Sequence, residues 1–212
     1  MRSEGASTAN VVPVRMGEMA VSRDRRDVLS VVGLGSCVAV ILIAPEKGAA
    51  GLAHVVLPEA RMTGGREAPA PKFADTAVPA MLTELRQLGV KPEDLYAMLV
   101  GGATMFGHTH SSKLAGVGDR NVEAAREHIA LAGIGIEAED VGGTSGRSVH
   151  LAIAELGVYV RRGPENPSLL PGRTTPLAVK VSAGGADLQT EPFPDDIWSS
   201  KPAGGSLASD PA

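Results

Sequence analysis

The reading of the fold turns on Gly33-Leu34-Gly35-Ser36-Cys37-Val38-Ala39-Val40-Ile41-Leu42-Ile43-Ala44, followed by Pro45-Glu46-Lys47-Gly48 and then Gly51-Leu52-Ala53-His54-Val55-Val56-Leu57. Two apolar runs of strand length around a proline-glycine turn predict an antiparallel hairpin, Cys37 to Ala44 against Gly51 to Leu57. Cys37 is the only cysteine of the chain, so it has no partner for an internal disulfide. The hairpin brings it toward His54, seventeen positions on. A free thiol titrates near pH 8.5, and a neighbouring imidazolium lowers that to roughly 3.5 to 7.5, so Cys37 and His54, where they meet, are the minimum equipment for a thiolate nucleophile. Gly35 lets the backbone approach closely, and the amides of Ser36 and Cys37 are candidate donors to an oxyanion. The plainer alternative treats Cys37 as a small buried hydrophobe and His54 as a packing residue.

Outward from the hairpin, Val11 to Met19 and Asp27 to Val32 read as strands. Ala74, Ala77, Val78, Met81, Leu82, Leu85 and Leu88 recur at helical spacing up to Gly89, with Pro79 as a point where the helix starts late or bends. Tyr96 to Val100 is a continuous apolar strand, and a second amphipathic helix runs from about Arg120 to Ala132. Ile134 to Ala138, Ser148 to Ala154 and Val158 to Arg161 complete about eight strands and two principal helices. Strands grouped at both ends of the domain predict an α+β fold with helices packed outside the sheets.

Hydrophobic residues make up 43% and aromatic residues 3% of the 212, so aliphatic side chains and alanine must fill one core. A formal charge of -4 and no basic stripe argue against nucleic acid, and no apolar run approaches a membrane span. Without a signal-peptide pattern at the start, the chain reads as cytoplasmic, where a thiol stays reduced. Residues 1–10 read as a flexible leader and 11–162 as the domain. Residues 163–212, rich in proline, glycine and serine, read as a largely disordered tail with one peripheral strand at 176–182. Removal of everything after about Ala183 is therefore expected to leave stability intact.

Other motifs have competing readings. His108 and His110 could join Cys37 and His54 as four zinc ligands, or form a solvated turn; without a CxxC partner, no metal is expected. His128 reads as exposed and His150 as a packing or surface residue. Gly101-Gly102-Ala103-Thr104-Met105-Phe106 lacks the lysine and spacing of a phosphate-binding loop, so no cofactor is expected and its glycines serve close backbone approach. In Gly142-Gly143-Thr144-Ser145-Gly146-Arg147, turn geometry accounts for the glycines, and Arg147 alone invites a functional role.

Five runs occur in order: Gly33 to Val38, Gly51 to Pro58, Gly101 to Phe106, Gly118-Asp119-Arg120-Asn121-Val122, and Asp140 to Arg147. Together they resemble the CheD family of chemoreceptor glutamine deamidases, over about Val11 to Arg162. The resemblance implies a layered sandwich of mixed sheets flanked by helices, related to cysteine-dependent deamidating toxins. It makes Cys37 the nucleophile and His54 the base, and it implies chemoreceptor cytoplasmic helices as substrates and a CheC-like phosphatase as a partner. The rival reading is an adaptor that binds those partners with little or no catalysis. Six positions before Cys37 the family's set has a threonine where this chain has Val31, so Val31→Thr is expected to raise the rate if His54 lacks an orienting group.

Overall fold

The computed structural model describes residues 9–64, 67–104, 116–172 and Trp198. Among them the strands are β1 Asn10–Pro13, β2 Met19–Ser22, β3 Asp27–Leu34, β4 Val38–Ala44, β5 Ala49–Val55, β6 Tyr96–Gly101, β7 Gly135–Val141, β8 Arg147–Ala152, β9 Gly157–Arg162 and β10 Ser168–Leu169, with helices α1 Ala74–Gln87 and α2 Val117–Leu131. The hairpin is β4 and β5, antiparallel and closed by Gly48 in the left-handed region. Two five-stranded mixed sheets result, in the orders β2-β5-β4-β6-β7 and β1-β3-β8-β9-β10.

Every residue of β4 and β5 is buried, because both faces of their sheet are covered. Val38, Val40 and Leu42 pack with Val78, Met81, Leu85, Val122 and Ile129 of the helices. The alternate residues Ala39, Ile41 and Ile43 pack with Leu29, Val31, Val149 and Leu151 of the second sheet. Burying such a side chain fully contributes about 2 kcal/mol, so this central hairpin, flanked on both sides, anchors the helix-sheet-sheet stack. The α+β expectation is met, with both helices on one side of the pair of sheets.

The stretch expected as one strand from Val11 to Met19 is split. Gly17, at φ 76, turns the chain, with the Arg15 amide donating to the Glu18 carboxylate, so that β1 joins one sheet and β2 the other. This crossing carries Val14 and Glu18 past His54. Helix α1 starts at Ala74 and continues through Pro79, whose ring is exposed, so the missing amide costs one backbone hydrogen bond without a steric clash in the core.

The boundary drawn at Arg162 also shifts. β10 adds to β9 beyond it, and Trp198, only 1% exposed, lies on the outer face of the second sheet against Val28, Ala152 and Tyr159. Its indole meets the His150 ring edge-on at 3.9 Å, its carbonyl accepts from the Arg161 guanidinium, and that guanidinium stacks over the ring. Burial, with Arg161 nearby, pushes His150 down to about 4, so the ring under the indole is neutral. His150 is thus the packing residue expected of it. The leader residues 1–8 and the strand expected at 176–182 lie outside the described residues.

A tail bearing a docked tryptophan is not dispensable. Truncation after Ala183, or Trp198→Ala, should lower stability by about 3 kcal/mol and Tm by roughly 10 °C. Trp198 is the only tryptophan, so its emission should shift red in step with unfolding of the domain. An unchanged melting curve in the truncated chain, or a solvent-exposed emission maximum in the intact one, would show that the docking does not hold in solution.

Candidate active site

β4 begins directly after Cys37, and β5 pairs with it so that His54 stands opposite Ala39. Cys37 lies two residues before Ala39, on the same face of the pleat, which makes Cys37 and His54 diagonal neighbours across the pair. That face is the inner one: Cys37 packs against the cluster between the sheets, half-buried at its rim, while Ser36 is exposed and Gly35 half-buried. A thiol at such a position is reachable from solvent, while the imidazole is sheltered. His54 is only 4% exposed.

The main chain of His54 is held on both sides, its amide donating to Glu18 O and its carbonyl accepting from Gly17 N. Its Nδ1 lies 3.3 Å from the carbonyl oxygen of Val14. A carbonyl only accepts, so this contact selects the Nδ1–H tautomer and leaves Nε2 as the basic nitrogen. Nε2 is buried and has no hydrogen-bond partner among the described residues.

Burial raises the Cys37 thiol above its ordinary value, with its own backbone amide opposing, and burial lowers His54, with the Val14 carbonyl and Glu18 opposing. Both shifts disfavour charge. Burial thus works against the thiolate-imidazolium pair that a neighbouring imidazolium would favour. The physical reason is desolvation on the inner face of the sheet, which the order of residues along the chain does not reveal.

Val31 is fully buried between the sheets, and Ser30 is on the opposite face, opposite His150. Val14 follows Pro13, the partner of Ser30 in the parallel β1–β3 ladder, so its carbonyl lies level with Val31. The contact to His54 Nδ1 thus comes from the main chain at the level of Val31.

Three glycine-bearing turns converge on the cysteine. Gly102 N donates to Cys37 O, Ala103 N to Gly35 O, Gly142 N to Gly101 O and Thr104 N to Gly143 O. A Cβ at Gly101 would lie 2.3 Å from Cys37 O, and one at Gly102 2.4 Å from Val122 Cγ2. The glycines serve close packing, as expected. Arg147 is spent on structure: it is buried, pairs with Asp140 at 3.0 Å and donates to the carbonyls of Gly142 and Ser145. The expected functional role for Arg147 is replaced by that of a brace for the turn. His108 and His110 lie outside the described residues, and no group of three or more metal-ligating side chains occurs among the described ones.

Sequence reading passed over Asn121. It is fully buried, and its Nδ2 donates to Ser36 O at 2.8 Å and to Val56 O at 3.0 Å. The signal was present: Asn121, Ala125 and Ile129 form one buried stripe of α2, and an amide in an apolar stripe asks for a reason.

In class, this is a two-sheet α+β protein with a thiol and an imidazole sharing the inner face of its central hairpin. A family model described as "CheD chemotactic sensory transduction" matches residues 56–162. A probable chemoreceptor glutamine deamidase CheD of Methanococcus maripaludis is 38% identical over 73% of this chain and 97% of its own length. The chemoreceptor glutamine deamidase CheD of Thermotoga maritima is 41% identical over 70% of this chain and 90% of its own, and a probable CheD 2 of Geobacter metallireducens is 42% identical over 75% and 97%. The chain belongs to the CheD family. Among solved structures, Bacillus licheniformis hypothetical protein YfiH overlaps 62% of this chain and 58% of its own at a TM-score of 0.37 and 14% identity, too distant to inform the site.

Two outcomes follow from this geometry. Since Val14 O already holds the imidazole, Val31→Thr should leave catalysis unchanged and cost about 1 to 3 kcal/mol for a buried hydroxyl; a faster enzyme with unchanged Tm would show that the carbonyl contact is inadequate. Alkylation of Cys37 by iodoacetamide should rise to a midpoint above about pH 8.5. A midpoint below 7 would instead establish a preformed ion pair.

Proposed function

We propose that the chain is a protein-glutamine deamidase acting on the cytoplasmic helices of chemoreceptors, with Cys37 as nucleophile and His54 as base. The observation that carries this reading is the arrangement of His54, whose Nδ1 is engaged by Val14 O while Nε2 has no hydrogen-bond partner among the described residues, on the face shared with the only thiol. The relatives named as chemoreceptor glutamine deamidases supply the substrate class. The reading extends to an architectural kinship with cysteine-dependent deamidating toxins.

In the proposed reaction, His54 Nε2 takes the thiol proton as Cys37 Sγ bonds to the carboxamide carbon of a receptor glutamine. The carbonyl π-bond breaks and its oxygen becomes an oxyanion. The amides of Ser36 and Cys37 lie on the exposed approach to the thiol and are suited to receive that charge. Nε2 then returns the proton to the departing nitrogen, the C–N bond breaks and ammonia leaves a thioester. Water, deprotonated by the same nitrogen, attacks the thioester carbon, the C–S bond breaks, and glutamate and thiol are released. Burial assists because neutral groups become charged only as the reaction proceeds, in a place where preoriented dipoles act strongly. A CheC-like phosphatase is the further partner to which this reading extends.

Incubation with a chemoreceptor cytoplasmic domain should add about one dalton per glutamine converted, with ammonia released. Cys37→Ser should abolish the mass change, and His54→Ala should reduce its rate by roughly 10² to 10⁴. Retained turnover in Cys37→Ser would remove the nucleophile assignment, whereas stable receptor binding with no mass change in the wild type would favour the adaptor reading.

A further inference from the structure

We infer that Asn121 is a positioning residue for this reaction: its carboxamide sets Cys37 and the Cys37 amide against His54 by holding the carbonyls of Ser36 and Val56. The inference rests on the deamidase reading above and deepens it.

Both hydrogens of the Asn121 side-chain nitrogen are spent, one on Ser36 O at 2.8 Å and one on Val56 O at 3.0 Å. Ser36 immediately precedes Cys37, and Val56 lies two residues beyond His54. A single planar group therefore spans the ends of the two strands that carry the thiol and the imidazole, beyond Val38↔Val55, where their paired register ends. This bridge ties the two strand ends to each other, whereas their other main-chain hydrogen bonds hold each to a different neighbour, Cys37 O and Gly35 O to Gly102 N and Ala103 N, and Val56 N to Lys72 O.

The contact with Ser36 has a second consequence. Its C=O and the N–H of Cys37 belong to one rigid peptide unit and point in opposite directions. Fixing the carbonyl fixes where that N–H points. A donated hydrogen bond to the carbonyl also polarises the unit and strengthens the N–H as a donor. Asn121 thereby aims the amide proposed to meet the oxyanion without touching the substrate.

A merely structural staple between α2 and the sheet would not call for an amide. Asn121 is fully buried, and its Oδ1 has no hydrogen-bond partner among the described residues. An unpaired buried oxygen destabilises, so the amide stands in this stripe for its two donors: an aliphatic residue would remove that penalty and take this donor from Ser36 O and Val56 O. The helix is also seated to deliver this side chain: a Cβ at Gly118 would lie 2.5 Å from Gly102 O, so α2 reaches this depth only because its second residue is glycine.

The test uses the full chain with a purified chemoreceptor cytoplasmic domain as substrate. It compares Asn121→Ala, Asn121→Asp and Asn121→Ser with Ile129→Ala, a core truncation lower on the same helix that supplies a destabilised control. At a temperature where each is folded, the Asn121 variants should lose roughly 10- to 100-fold in kcat with KM nearly unchanged, as expected when reacting groups are misaligned. Serine should lose least, since its hydroxyl can still donate to one carbonyl. Iodoacetamide alkylation of Cys37 near pH 7, measured without receptor, should fall to the level of His54→Ala. Ile129→Ala should lower Tm while keeping kcat and alkylation.

Wild-type kcat and alkylation in the Asn121 variants, with only Tm reduced, would overturn the inference. So would a failure of all three variants to fold, since Asn121 would then be a determinant of folding. If the wild type itself produces no mass change, or if Cys37→Ala retains it, the deamidase reading has failed, and the alkylation comparison alone decides whether Asn121 couples the thiol to the imidazole.

Discussion

The geometry at the thiol depends on how deeply helix α2 can settle against the end of β6. A Cβ at Gly102 would run into Val122 at 2.4 Å, and one at Gly118 into Gly102 O at 2.5 Å. Main chain lies against main chain there, and the positive φ of 118 and 67 at Gly101 and Gly102 bends the strand end around Cys37 O, which accepts from Gly102 N. Once α2 is seated, Asn121 is at the level of Ser36 and Val56. The two glycine-rich turns at 101–102 and 142–143 are tied to each other and to the cysteine turn by main-chain hydrogen bonds, and the buried Arg147–Asp140 pair braces the second. Removal of Asp140 would leave the Arg147 guanidinium buried without its carboxylate, whereas the Asp140 carboxylate is held by Arg162 as well, at 2.8 Å.

Placing the pair on the inner face of a sheet has an electrostatic consequence. Desolvation disfavours charge on both thiol and imidazole, and the same low-dielectric surroundings strengthen every dipole that faces them. An exposed pair would be easier to ionise. Val31 fits this view, since a valine packs into the inter-sheet core while the Val14 carbonyl engages Nδ1. The crossing of the chain between β1 and β2 brings that carbonyl to the histidine.

The outer face of the second sheet is covered by a residue far along the chain. Trp198 returns to Val28, Ala152 and His150 after a proline-rich stretch, and Arg161 both stacks on its ring and donates to its carbonyl. Average composition misleads for such a segment, because one large aromatic side chain can dock a tail whose other residues have little to bury.

What the sequence determined by itself was what periodicity and punctuation encode. The β4–β5 hairpin, the two amphipathic helices and the shared neighbourhood of Cys37 and His54 follow from apolar runs, a proline-glycine turn and strand alternation, all local in the chain. The five ordered motifs marked the family for the same reason. Asn121 was half legible, as an amide in an apolar stripe whose acceptors lie 85 and 65 residues away. Only the tertiary structure decided the rest: the split of β1 from β2, the Val14 carbonyl on the imidazole, the burial that disfavours charge on the pair, the structural use of Arg147 and the docking of Trp198. Each depends on which distant groups exclude water from a side chain or face its polar atoms, and a linear order of residues does not contain that information until the sheets and helices have closed on one another.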